Sequence, residues 1–199
     1  MRWPGDRHAV VRASAAMLVA GLFALPLDAQ QTSAPAPTLE KSAPVAEPEG
    51  YRMEDYKAPV PATLAGATVV TVKEAHALWQ AGKTGFVDVL PHPPKPANLP
   101  EGTVWHDKPR ISIPGAIWLP NTGYGDIAPE TLTYFLDGLA RVTGGDRQKN
   151  VLFFCLPNCW MSWNAAKRAI AEGYTNVYWM PDGSEGWAKA GYPTETLKA

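Results

Sequence analysis

The segment NVLFFC, residues 150–155, has no face to offer water: after Asn150 every residue is apolar up to the closing cysteine. A strand of that kind is covered on both sides, as the central strand of a parallel sheet is. Parallel strands need crossover connections, and the surrounding sequence supplies helices for them. ATVVTV reads as a short β-branched strand, and KEAHALWQAG as an amphipathic helix ending at Gly82. GFVDVL (85–90) and GAIWLP (115–120) read as buried strands, with a helix from Glu130 to Val142 in APETLTYFLDGLARVTGG. After the central strand come a helix in SWNAAKRAIAEG closed by Gly173, a strand in NVYWM (176–180) and a short last helix in SEGWAKAG. The alternation predicts one α/β domain over residues 68–195, with a central, mostly parallel sheet and helices on both faces.

The preceding residues have another character. Arg2, Arg7 and Arg12 form a basic region ahead of the apolar ASAAMLVAGLFALPL (13–27), and LDAQ offers a cleavage site after Ala29. Residues 1–29 therefore read as an export signal, with Leu27 where a smaller residue is usual. An uncleaved anchor is the alternative, but the run is shorter than the roughly 18–20 residues of a membrane span and Pro26 interrupts it. The mature chain is expected to be soluble and, in a bacterium, periplasmic, where a disulfide persists. Residues 30–50, rich in Ala, Pro, Ser and Glu, have almost nothing to bury and read as a linker. Residues 51–67 carry Tyr51, Met53 and Tyr56 and read as an arm lying on the domain surface, or as further linker. A net charge of −1 gives no electrostatic reason to expect nucleic acid or an anionic membrane as partner.

Both cysteines of the chain, Cys155 and Cys159, lie in CLPNCWM, where the central strand leads into a helix. Ligands in open α/β sheets collect at the carboxyl ends of strands. A loop wrapping onto a helix N-terminus turns amide N–H groups inward and favours a thiolate, so Cys155 is expected to be activated. Pro157 removes one such N–H but stiffens the turn. The bland reading of Cys155, a small buried hydrophobe ending a strand, is weakened by the second thiol four residues on.

Over residues 65–195 the segment order resembles a single-domain rhodanese-like protein. The carriers are FVDVL with Asp88, IPGAIWLP (113–120), DGSEGWAKAGYP (182–193) and Cys155 itself. The resemblance implies that Cys155 is a persulfide-forming nucleophile and Asp88 part of its catalytic surroundings. The candidate substrate contacts are Pro157, Asn158, Trp160, Met161 and Ser162. The signal, GYRMEDYKAPVPATLAGA and the CxxxCW loop are similar to the exported PQQ-dependent catabolism-associated CXXCW motif proteins. That likeness implies a sulfur-containing or thiol substrate. It also suggests a periplasmic quinoprotein alcohol dehydrogenase or cytochrome c as partner.

The loop departs from the CxxGx[R/T/S] form common in active rhodaneses: it has neither Gly nor Arg and is one residue longer. Leu90 stands where a basic residue often follows the strand aspartate, and Lys167 and Arg168 sit along the helix. Thiosulfate would thus meet only backbone donors. A phosphatase needs an arginine fork in a Cys-x-x-x-x-x-Arg loop, and position 161 is Met, which excludes that class. Cys159 could attack a persulfide on Cys155 or act as its partner in a dithiol/disulfide couple. A pair of thiolates could also hold Cu(I).

His92 and His106 fall in an irregular insertion, residues 91–112, that could lid the loop; exposed histidines are the plainer reading than a site with both cysteines. His76 reads as a surface or satisfied histidine. Trp160 and Trp163 read as packing, as a pocket wall or as a docking patch, whereas Trp179 and Trp187 read as structural. Asp88 is expected to order the loop by hydrogen bonding, and Tyr124 and Asp126 to belong to a turn. No cofactor and no metal ligand set is assigned. Two functions stay open: a thiol enzyme built on Cys155 and Cys159, and an accessory binding module in which they form a structural disulfide or bind copper.

Overall fold

The central strand lies where its apolar run requires. The structure, a computed structural model, describes residues 44–92, 95–104, 106 and 108–197. The export signal read at residues 1–29 and the linker as far as residue 43 lie outside the described residues. Strand β5 (Asn150–Phe154) is flanked by β2 (Thr84–Asp88) and β6 (Val177–Trp179), with β4 (Ile117–Trp118) and β1 (Ala67–Val69) at the edges. The order is β1-β6-β5-β2-β4, and every pairing in this five-stranded sheet is parallel.

Successive side chains of β5 point to opposite faces, and each face has its own helices. Val151 and Phe153 pack with Phe135 and Leu139 of α2 (Pro129–Thr143) and with Trp163 and Ala166 of α3 (Trp160–Ala171). Leu152 and Phe154 pack with Ala75 of α1 (Val72–Ala81) and Trp187 of α4 (Gly183–Lys189). Val151, Leu152, Phe153 and Phe154, four of the five β5 side chains, are fully buried, each contributing about 1.5–3 kcal/mol relative to exposure. The chain is a single α/β domain with helices on both faces of a parallel sheet, as the alternation predicts.

Boundaries shift where local signals compete. Helix α1 begins at a capping box, in which Thr71 and Glu74 satisfy each other's backbone N–H groups, and ends at left-handed Gly82. Helix α3 begins at Trp160, two residues before the expected Ser162 turn, so Cys159 is its N-cap. The insertion after β2 is not wholly irregular. Its residues Arg110–Ser112 form β3, which pairs antiparallel with β7 (Glu195–Leu197) in a separate two-stranded sheet.

Candidate active site

Strand β5 delivers Cys155 to the carboxyl edge of the sheet, and the chain returns through Leu156, Pro157 and Asn158 to Cys159. Asn158 takes a left-handed φ of 55°, which asparagine tolerates better than most residues. The turn brings Cys155 and Cys159 to a Cα separation of 6.2 Å, and their sulfurs are joined as a disulfide. Cys155 is 0% exposed within the core, whereas Cys159 is only partly buried. It is Cys159, not Cys155, that stands at the N-terminus of α3, and its side chain makes no capping hydrogen bond.

Beneath the loop runs a buried polar chain. The Cys155 carbonyl accepts hydrogen bonds from the Ser184 amide (2.9 Å) and hydroxyl (3.2 Å). Gly183 has a φ of 58°, and a Cβ there would lie 2.5 Å from the Cys155 carbonyl oxygen, so glycine alone lets α4 approach this closely. The Arg110 guanidinium donates through Nη2 to Ser184 Oγ (2.9 Å) and through Nε to Asp88 Oδ2 (2.7 Å), and Nη2 also stands in ion-pair contact with Oδ2 at 2.5 Å. Ser112 donates to the same oxygen at 2.5 Å, and the Leu90 amide donates to Oδ1 at 3.0 Å. Burial pushes the Asp88 carboxyl up, while Arg110, Ser112 and the Leu90 amide pull it down. The hydrogen-bond and ion-pair partners given for the Asp88 carboxylate, Leu90, Arg110 and Ser112, all lie outside the cysteine loop. Asp88 holds Arg110, and Arg110 holds the serine that holds Cys155.

Arg110 is the residue that sequence reasoning missed. The donors near the loop are not confined to the backbone: this guanidinium lines a cavity of about 290 Å³ with Leu156 and Ser184. Arg110 also lines a second cavity of about 410 Å³ with Lys108 and Trp118. The sequence gives no local sign of this, because Arg110 reaches the site only through the β3–β7 pairing.

Above the loop lies the chain's own N-terminal arm. Lys57 and Cys159 form an isolated antiparallel backbone bridge, and the Trp160 amide donates to the Tyr56 carbonyl at 2.9 Å. The indole N–H groups of Trp160 and Trp163 donate to the carbonyls of Pro59 (3.1 Å) and Thr63 (3.2 Å). Asn164 clamps the arm on both sides, accepting from Arg52 N and donating to Arg52 O, each at 2.9 Å. The expected wall or docking patch formed by these tryptophans is thus covered by residues 52–63 of the same chain. The turn containing Tyr124 belongs to this assembly: Tyr124 packs edge-on against Tyr56, and Arg168 donates to the carbonyls of Thr122, Tyr124 and Gly125. Burial lowers the Arg168 pKa.

The proposed substrate contacts are dispersed. Pro157 and Met161 line a cavity of about 160 Å³ with Cys159, beside Tyr56, Leu90, Pro91 and Leu156. Asn158 is exposed. Trp160 is buried under the arm, and Ser162 is buried between the Cys159 carbonyl and the Trp179 indole, at 3.0 Å from each. His92 stacks on Trp118 and donates its amide to Asn121, His106 is exposed, and His76 stacks on Tyr192. Among the described residues no group of three or more His, Cys, Asp or Glu could hold a metal ion.

The rhodanese-like domain model matches residues 71–190, which covers every element from the first helix to the last. The chain belongs to the rhodanese-like family. No curated protein matches it. Solved structures similar to this rhodanese-like chain include a protein of unknown function, possible tyrosine phosphatase, from Rhodopseudomonas palustris CGA009. It is 20% identical with a TM-score of 0.42, over 66% of this chain and 86% of that one. Another is the 30 kDa polysulfide-sulfur transferase homodimer from Wolinella succinogenes, 17% identical with a TM-score of 0.41, over 66% of this chain and 80% of that one. An uncharacterized protein from Saccharomyces cerevisiae is 20% identical with a TM-score of 0.39, over 63% of this chain and 93% of that one.

Proposed function

We propose that this rhodanese-like chain is an exported thiol protein in which Cys155 and Cys159 work as a reversible dithiol/disulfide couple. Of the chemistries open to the loop, persulfide transfer on Cys155 and exchange between the two cysteines, the geometry favours exchange. The observation that carries this is the pairing of a buried sulfur at the end of β5 with a partly exposed one, 6.2 Å apart between Cα atoms. The apolar segment at residues 13–27 supports export to the periplasm, where such a couple finds oxidants. The CxxxCW loop and the arm sequence support a place beside a PQQ-dependent alcohol oxidation system, with a quinoprotein dehydrogenase or cytochrome c as neighbour.

A second reading has its own support. The tryptophans after the loop are sealed by the arm, as they would be in a module whose disulfide only fastens the arm in place. The intact mass of protein isolated from its exported location, after thiol trapping without reductant, separates the readings. A mixture of disulfide and dithiol that follows the applied redox buffer is expected. An added sulfur atom on Cys155 would point to persulfide transfer instead. A disulfide that no buffer opens in the folded protein would leave the accessory module.

A further inference from the structure

The two sulfurs of the disulfide differ in their access to an incoming thiol. Cys155 is 0% exposed and packed in the core with Phe153 and Trp179. Cys159 is partly exposed, and it rather than Cys155 lines the cavity between Leu90, Pro91, Pro157 and Met161. Exchange requires the attacking thiolate to reach the sulfur it displaces. Cys159 is also the N-cap of the 12-residue α3, and its side chain makes no capping hydrogen bond.

Resting on the dithiol/disulfide reading above, we infer that an incoming organic thiol attacks Cys159, that Cys155 is the resolving cysteine, and that the cavity selects thiols carried on apolar groups. This inverts the roles implied by the family resemblance, in which Cys155 meets the substrate. A thiol RSH loses its proton, and RS⁻ attacks Cys159 Sγ in line with the bond to Cys155. The R–S–Sγ bond forms as the Sγ–Sγ bond breaks, and the electron pair goes to Cys155 Sγ, which takes up the released proton. A second thiolate then attacks the R sulfur of the mixed disulfide, releasing RSSR and leaving the Cys159 thiolate. Two thiols are oxidised and one protein disulfide is reduced. In the reverse direction, Cys155 attacks Cys159 of the mixed disulfide and expels RS⁻, restoring the closed loop.

The substrate preference follows from the walls. Tyr56, Leu90, Pro91, Leu156, Pro157 and Met161 offer mainly carbon, and the Lys57 side chain stands exposed, where water screens its charge. A carboxylate beside the attacking sulfur would lose hydration there without a buried partner. An apolar substituent gains contact in the same place.

The test uses the mature protein and its single variants Cys155→Ser and Cys159→Ser. With a neutral aromatic disulfide, dithiodipyridine, the reduced Cys155→Ser protein is expected to react at least about 100-fold faster than Cys159→Ser. In denaturant the two rates should converge, which shows that folding and not intrinsic thiol chemistry sets the difference. In the wild-type disulfide form, limiting benzyl mercaptan followed by alkylation should leave the adduct on Cys159, mapped by peptide fragmentation. Benzyl mercaptan should also open the disulfide about 10-fold faster than mercaptosuccinate after correction for thiolate fraction. An adduct on Cys155, or faster reaction of Cys159→Ser, overturns the assignment while leaving the redox couple standing. Equal rates for the two thiols overturn the selection by the cavity. A disulfide that neither thiol opens in the folded protein overturns the inference together with the reading beneath it.

Discussion

At the scale of single residues, the support of the site is a chain of dependence: Asp88 fixes Arg110, Arg110 reaches Ser184, and Ser184 holds the Cys155 carbonyl. Removing one end of a buried ion pair leaves the other charge without compensation, which costs about 3–5 kcal/mol. Arg110→Met is therefore expected to destabilise the domain by about that amount in denaturant titration, by stranding Asp88. The double variant Asp88→Asn, Arg110→Met should recover part of the loss, because it removes both charges. If the single and double variants lose equally, the cost is packing rather than stranded charge. Asp88 is legible in the sequence through the resemblance of FVDVL to the family's aspartate-bearing strand. Its partner is not, since Arg110 lies 22 residues away in a segment with too few apolar positions to announce a strand.

Among the elements, the arm over α3 decides what the loop can meet, and it is held by apolar packing of Tyr56, Val60 and Leu64 together with polar contacts. Asn164, fully buried, makes three hydrogen bonds, to both backbone groups of Arg52 and to the Gly123 carbonyl. Asn164→Ala should cost about 1–3 kcal/mol by leaving these backbone groups unsatisfied. It should also raise amide hydrogen exchange at Arg52 and in the turn that follows Gly123. The upstream end of the arm responds to pH. Glu47 accepts from the Thr63 hydroxyl and from the Ala65 amide, and these bonds hold its carboxyl below the ordinary range. A carboxylate whose pKa is depressed in the docked state stabilises that state above its ordinary pKa and loses the contribution as pH falls through the lowered value. Below about pH 4, proteolysis should begin within residues 44–50 before the sheet unfolds, and Glu47→Gln should abolish the pH dependence. Cleavage that starts in the domain would contradict this. The arm's anchors, Trp160, Trp163 and Asn164, are visible in the sequence only as helix residues. Their partners in the arm are backbone groups, and nothing in its side-chain pattern advertises those.

For the whole molecule, the contrast between what the sequence shows and what it hides follows the range of the interactions. NVLFFC declares a strand buried on both faces because five adjacent apolar residues admit little else, and the parallel order of the sheet follows from the helices between its strands. The β3–β7 pair is hidden because RIS and ETL are short, polar and far apart in the chain. The position of Cys159 at the helix N-cap turns on a start two residues earlier than periodicity suggests. The same hierarchy governs what the disulfide contributes. It closes a loop with a sequence separation of only 4, so its effect on unfolded-chain entropy amounts to about 2 kcal/mol. The paired and fully buried residues of β5, with helices on both sides, do not depend on it. Reduction should therefore leave the protein folded, with near-ultraviolet circular dichroism preserved and the melting temperature lowered by about 4–8 °C. A redox couple requires that outcome, because both oxidation states must persist as the same fold. Loss of cooperative unfolding on reduction would mean that the disulfide is part of the scaffold and that the domain is not built to open it.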